Sequence, residues 1–130
     1  MAHRKTSILV VEDDPIIRMG AVDLLTGEGF EVLEAGNADE AIALLEVHPK
    51  IHLVFTDVSM PGTMDGKKLS HYIRERWPPI KLVVASGMST IGESDLPLGA
   101  KFFAKPYHDN SLREAIIELL FDARGEPLYV

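Results

Sequence analysis

Residues 54–66 read VFTDVSMPGTMDG. The stretch opens on apolar, β-branched residues, as a strand buried on both faces does. It then sets a bare carboxylate, Asp57, where that strand should stop, and runs into a loop holding Pro61, Gly62 and Gly66. An Asp there is either a turn-former or a reactive group held at the rim of a sheet. Its surroundings decide between the two.

Working outward, residues 51–57 (IHLVFTD) are the third of five similar runs. The others are 7–12 (SILVVE), 30–35 (FEVLEA), 80–86 (IKLVVAS) and 100–106 (AKFFAKP). Helical patterns separate most of them. Residues 14–29 carry Asp14 as a cap and Pro15 at the first position, with Ile16, Ile17, Gly20, Leu24 and Leu25 along one face and Gly27 or Gly29 at the end. Residues 37–49 start with Asn37, have Glu40 as capping-box partner and stop at Pro49. Residues 65–79 end at two prolines, and 109–123 cluster Leu112, Ile116, Ile117, Leu119 and Leu120 on one side.

Strand and helix alternate throughout, which predicts a parallel sheet covered by helices on both faces. One unit breaks the pattern. Residues 87–99 (GMSTIGESDLPLG) hold three Gly and one Pro, so a loop with at most a short helical turn is expected there.

In such folds ligands bind beyond the carboxyl ends of the strands, so the strand-end residues carry the function. The first strand ends in Glu12, Asp13 and Asp14, the third in Asp57, the fourth in Ser86 and the fifth in Lys105, followed by Pro106. Asp14 reads as a helix cap. The other carboxylates, crowded together, resist ionisation unless a cation joins them. Mg²⁺ is the fitting ion, because it takes one or two carboxylates with water and phosphate oxygens. No Cys is present and no His ends a strand, which argues against zinc. A carboxylate can be a nucleophile and form an aspartyl-phosphate, and Lys105 and the Ser86 hydroxyl can neutralise phosphoryl oxygens.

At these residues the chain resembles the receiver domain of two-component response regulators, of the single-domain kind. The matching pieces are ILVVEDD, VFTDVSMPGTMDG, VVASG and FFAKP, in the family's order and spacing over nearly the whole length. The resemblance implies a flavodoxin-like, doubly wound sheet of strand order 2-1-3-4-5, with the fourth helix here short or irregular. It implies Asp57 as phosphoacceptor, with Glu12, Asp13, Asp57 and the Ser59 backbone carbonyl at Mg²⁺. Ser86 is then the switch hydroxyl, Lys105 the site lysine, Phe102 the aromatic switch and Pro106 the residue after a cis bond. A histidine kinase or histidine phosphotransfer protein is the implied donor, and a downstream protein the reader of the switch. The receiver itself catalyses the transfer to Asp57 and the later hydrolysis. The loop after Asp57 is one residue longer than the common form, which displaces residues 64–66 and leaves the acceptor in place.

The chain is expected to be a receiver over residues 1–123 with a short tail, 124–130, and no output domain. It has 130 residues and a formal net charge of −7, which argues against a nucleic-acid partner. The first apolar run is cut short by acids, and no run approaches the ~18 residues of a membrane span. A cytoplasmic protein is expected. Two other functions share some of these features. One is a degenerate receiver serving only as a protein-interaction module, against which the intact set Asp13, Asp57, Ser86 and Lys105 counts. The other is an aspartyl-phosphate phosphatase or phosphotransferase, which would place a second Asp where Ser59 stands.

Overall fold

The structure, a computed structural model of the chain, describes residues 6–48, 50–87 and 90–129. Five strands form one parallel sheet: β1 (Ser7–Val11), β2 (Glu31–Ala35), β3 (Leu53–Asp57), β4 (Lys81–Ser86) and β5 (Lys101–Ala104). Their order is β2-β1-β3-β4-β5. Four helices connect or follow them: α1 (Pro15–Gly27), α2 (Ala38–Val47), α3 (Gly66–Arg76) and α4 (Asp109–Leu120). No helix among the described residues is long and apolar enough to cross a membrane.

The two-residue period of the strands divides the core. Leu9, Val11, Val54, Leu82 and Val84 point to the face covered by α2 and α3. Ile8, Val10, Leu53, Phe55 and Val83 point to the face covered by α1 and α4. Phe102 and Phe103 obey the same rule and pack on opposite faces, Phe102 beside α2 and α3, Phe103 beside α1 and α4. β3 is buried at all five positions, which explains its unbroken apolar reading.

Helix starts follow the cap residues. Asp14 Oδ1 accepts from the Ile16 and Ile17 amides at 2.9 and 3.3 Å, and Asp65 and Asn37 each accept from the amide three residues on. The Glu40 carboxylate accepts from the Gly36 amide at 2.7 Å, one residue before the Asn37 amide that a capping box would use. Pro49, the expected stop of α2, lies outside the described residues.

The shared helical face of α1 is only partly a core face. Ile16, Ile17 and Gly20 do not face the core. Ile16 is 80% exposed and Ile17 47%, and of the five named residues only Leu25 is fully buried, with Leu24 packed beside it. The first turn of α1 stands at the rim of the strand ends, where Ile17 edges the site beside Val10, Phe55 and Lys105, so helical periodicity there marks a surface and not a core face.

Between β4 and β5 the only regular structure among the described residues is a 3₁₀ turn, Glu93–Asp95. Leu96 is buried and anchors the segment, and the Arg74 guanidinium of α3 donates to the Leu98 carbonyl at 3.3 Å as well as to those of Pro78 and Ile80. This is the short, irregular unit that its glycines and proline predict.

Candidate functional site

The strand order sets the ends of β1, β3, β4 and β5 side by side at one edge of the sheet. Asp57 is the last residue of β3, in register with Ala85 of β4. Its neighbour Val58 donates to the Ala85 carbonyl at 3.0 Å, so the backbone under the carboxylate is tied to the next strand. Lys105 follows β5, its amide bonded to the Ser86 carbonyl at 2.9 Å, and the Lys105–Pro106 bond is cis. Ser86 is buried at the end of β4, and Ser59 is exposed two residues beyond Asp57.

Glu12, Asp13 and Asp57 each offer a carboxylate oxygen, and these oxygens lie within 4.8 Å of one another. Lys105 Nζ stands 2.9 Å from Asp57 Oδ1 and 3.5 Å from Glu12 Oε1. The ammonium therefore compensates two of the three acids. All donors of the cluster are hard oxygens, which fits Mg²⁺ or another hard divalent cation and not a thiophilic metal. Asp14 is turned into α1 as its cap, apart from this group.

Burial perturbs the charged groups. It pushes the Glu12 carboxyl above the ordinary glutamate value; the Asp14 amide, bonded to it at 3.1 Å, opposes this and the Asp57 charge adds to it. Burial works against the Lys105 ammonium, but the bond to Asp57 and the charges of Asp57 and Glu12 together outweigh it and raise the lysine pKa. Tyr107, which lines the site beneath Lys105, is raised chiefly by burial.

Two contributors are not marked as site residues by the linear pattern. Arg18 of α1 donates to the Glu12 carbonyl oxygen at 2.7 Å and to Glu34 of β2 at 3.0 Å, clamping the acidic pair from behind. Gly66 begins α3 directly against Asp57. A Cβ there would sit 2.0 Å from the Asp57 carbonyl oxygen and 2.9 Å from Val58 Cα, and the Gly66 amide donates to the Val58 carbonyl at 2.9 Å. Only a glycine lets the helix start approach the Asp57 backbone so closely. Phe102, half-buried on the α2–α3 face, lies against the same core cluster as Ile91 and Leu96 of the β4–β5 segment.

A family model described as "Response regulator receiver domain" matches residues 8–117. Among curated proteins, the chain is 33% identical to response regulator receiver protein CpdR of Brucella abortus, over 89% of this chain and 98% of that protein. It is 34% identical to chemotaxis protein CheY of Bacillus subtilis, over 92% and 99% respectively. The chain spans only 12% of the sensor kinase CckA of Brucella abortus and 54% of the transcriptional regulatory protein PdtaR of Mycobacterium tuberculosis, at 35% and 34% identity. Among solved structures, response regulator protein TrrA of Thermotoga maritima, in complex with Mg(2+)-BeF, superposes with a TM-score of 0.78 at 30% identity, covering 89% of this chain and all of that one. With the strand order, the acid cluster and these matches together, the chain belongs to the receiver-domain family of response regulators.

Proposed function

We propose that this receiver accepts a phosphoryl group on Asp57 from the phosphohistidine of a histidine kinase or histidine phosphotransfer protein. One Asp57 carboxylate oxygen forms the new O–P bond as the N–P bond of the donor breaks. The electron pair stays with the departing imidazole, which takes up a proton. The observation that carries this reading is the joint placement of Lys105, 2.9 Å from Asp57, and of three carboxylates whose oxygens gather within 4.8 Å. Glu12, Asp13, Asp57 and the Ser59 carbonyl would hold Mg²⁺. When bound, the ion supplies charge neutralisation at a phosphoryl oxygen. Lys105 neutralises a second oxygen as a point charge.

Transfer replaces the single carboxylate charge of Asp57 with about two negative charges on the phosphoryl group, a net gain of about one at the strand end. Lys105 then exchanges its bonds to Asp57 and Glu12 for the phosphoryl oxygens, and the Ser86 hydroxyl donates to the same group. The shift of Ser86 draws on the irregular segment after it, and Phe102 turns into the space released. A partner reads the new surface around β4, β5 and α4. This is a shift between two packings of one core. Ile17, which lines a groove with Gly20, Lys105, Pro106 and Tyr107, and the exposed Ile16 before it offer an apolar landing surface for the donor next to the acceptor.

Intact mass after incubation with acetyl phosphate or phosphoramidate tests the proposal. The chain should gain one phosphoryl mass only when Mg²⁺ is present, and Asp57→Asn should gain none. Equal labelling of that variant would sink the assignment.

A further inference from the structure

The opposite edge of the sheet, one strand's length or roughly 15 Å from Asp57, holds a cavity of about 630 Å³ that the phosphoryl chemistry does not use. Its volume falls in the range of small-molecule sites, about 300–1,000 Å³. Ile51, Ile80 and Leu120 are buried in its floor. Trp77, at the end of α3, and Tyr129, in the carboxyl-terminal segment, form aromatic walls.

The walls are held in place. Asp122 Oδ1 accepts from the Arg124 and Glu126 amides, and the Leu128 amide returns to the Leu120 carbonyl at 2.7 Å, folding the segment back on α4. The Tyr129 ring lies 3.9 Å from that of His52, and its hydroxyl bonds to Thr6. His52 Nδ1 in turn accepts from the Ser7 amide at 2.9 Å, which fixes the imidazole under the tyrosine.

The charge around this cavity runs against that of the molecule. In a chain of formal net charge −7, Lys50, Arg76 and Lys81 line it, and among the described residues no Asp or Glu does. Arg76 stands 5.2 Å over the Trp77 ring and is satisfied by Glu46 at 2.6 Å. Glu31 lies outside the lining and accepts from the Ser7 hydroxyl; its charge reaches His52 at the cavity's rim. Lys50 and Lys81 make no ion pair among the described residues. An apolar floor, aromatic walls and two ammonium groups outside any ion pair among the described residues select for opposite charge on a flat apolar body.

We propose that this cavity binds a small planar anion, an aromatic compound bearing carboxylate, sulfonate or phosphate. The ring packs on Ile51, Ile80 and Trp77, and the anionic group meets Lys50 and Lys81.

Anilinonaphthalene sulfonate and its uncharged counterpart phenylnaphthylamine are suitable probes. Trp77 is the chain's only tryptophan, so energy transfer from it reports on this cavity directly. The sulfonate should bind at one saturable site, quench Trp77, and bind about tenfold or more tighter than the neutral probe, a difference of about 1.4 kcal/mol. Amide shifts should centre on Ile51, His52, Trp77 and Tyr129. The double variant Lys50→Glu, Lys81→Glu, checked for fold by circular dichroism, should lose the preference for the anion. Equal affinity for the two probes in the unaltered chain would overturn the proposal. So would shifts centred on Ile17, Gly20 and Tyr107, or self-association of the chain through this face in place of probe binding.

Discussion

Glu12 is held where its own charge is unfavourable. It is 6% exposed, sits in the same acid cluster as Asp57, and has its pKa raised first by burial. A carboxyl whose folded-state pKa is raised favours folding while protonated and opposes it once ionised, so at neutral pH it costs stability. Glu12→Gln should therefore raise the melting temperature of the metal-free chain, by about 2–4 °C if about 0.5–1 kcal/mol is relieved. The same change should weaken Mg²⁺ binding. Calorimetric melting with and without Mg²⁺ checks both halves; a lower metal-free melting point would mean that the Lys105 contact outweighs the crowding. Gly66 gives the second residue-level prediction. Because its missing Cβ would meet Asp57 and Val58 backbone, Gly66→Ala should cost about 2 kcal/mol or more and slow phosphorylation by displacing the acceptor. Stability at the parent level, by denaturant titration, would count against that reading. The two cases differ in legibility. Glu12, Asp13, Asp57 and Lys105 stand out in the chain because each interrupts the end of an apolar run. Gly66 and Arg18 do not, since the one matters through a backbone approach across the loop and the other through Glu34 on a different strand.

At the level of elements, the caps and the two-residue alternation predict where helices start and which way strand side chains point, because both depend on local geometry. The first turn of α1 escapes that logic. Ile16 and Ile17 have helical spacing, but they stand at the strand-end rim, and where that rim falls depends on where β1 ends. The carboxyl-terminal segment escapes it too, since its anchor is a ring contact between Tyr129 and His52, 77 positions apart in numbering but adjacent in space. That anchor should respond to acid. Burial lowers the His52 pKa below its ordinary value of 6.5, with the Glu31 charge opposing, and Nδ1 is already an acceptor for the Ser7 amide. A depressed histidine contributes stability that is present above its unfolded pKa and lost as pH falls through the folded value. The melting temperature should thus decline as pH is lowered below 6.5, before general carboxylate protonation begins, and the Tyr129 ring resonances should lose their ring-current shift over the same range. His52→Gln should flatten this part of the profile. An unchanged slope in that variant would place the sensitivity elsewhere.

The whole molecule converges on one edge of the sheet. Two core clusters, on opposite faces, hold β1, β3, β4 and β5 in register, and the acids and the lysine can meet only when all of these strands are in place. The unfolded chain has no such site, so any cation bound there stabilises the fold by mass action. Mg²⁺ at about 100 times its dissociation constant should add about 2.7 kcal/mol, several degrees in melting temperature for a chain of this size. Calcium at equal concentration should do less where the site demands the smaller ion's geometry. Asp13→Ala should remove most of the Mg²⁺ response, because it leaves the exposed side of the cluster without a ligand while Lys105 still occupies Asp57 and Glu12. Lys105→Met should act in the opposite sense. It takes away the ammonium that compensates Asp57 and Glu12, so the metal-free chain should lose stability and the increment from Mg²⁺ should grow. Paired melts of the three proteins across a Mg²⁺ titration decide the matter. If Asp13→Ala kept the full increment, the ion would be binding outside the strand-end cluster, and the phosphoryl chemistry assigned to Asp57 would lose its metal.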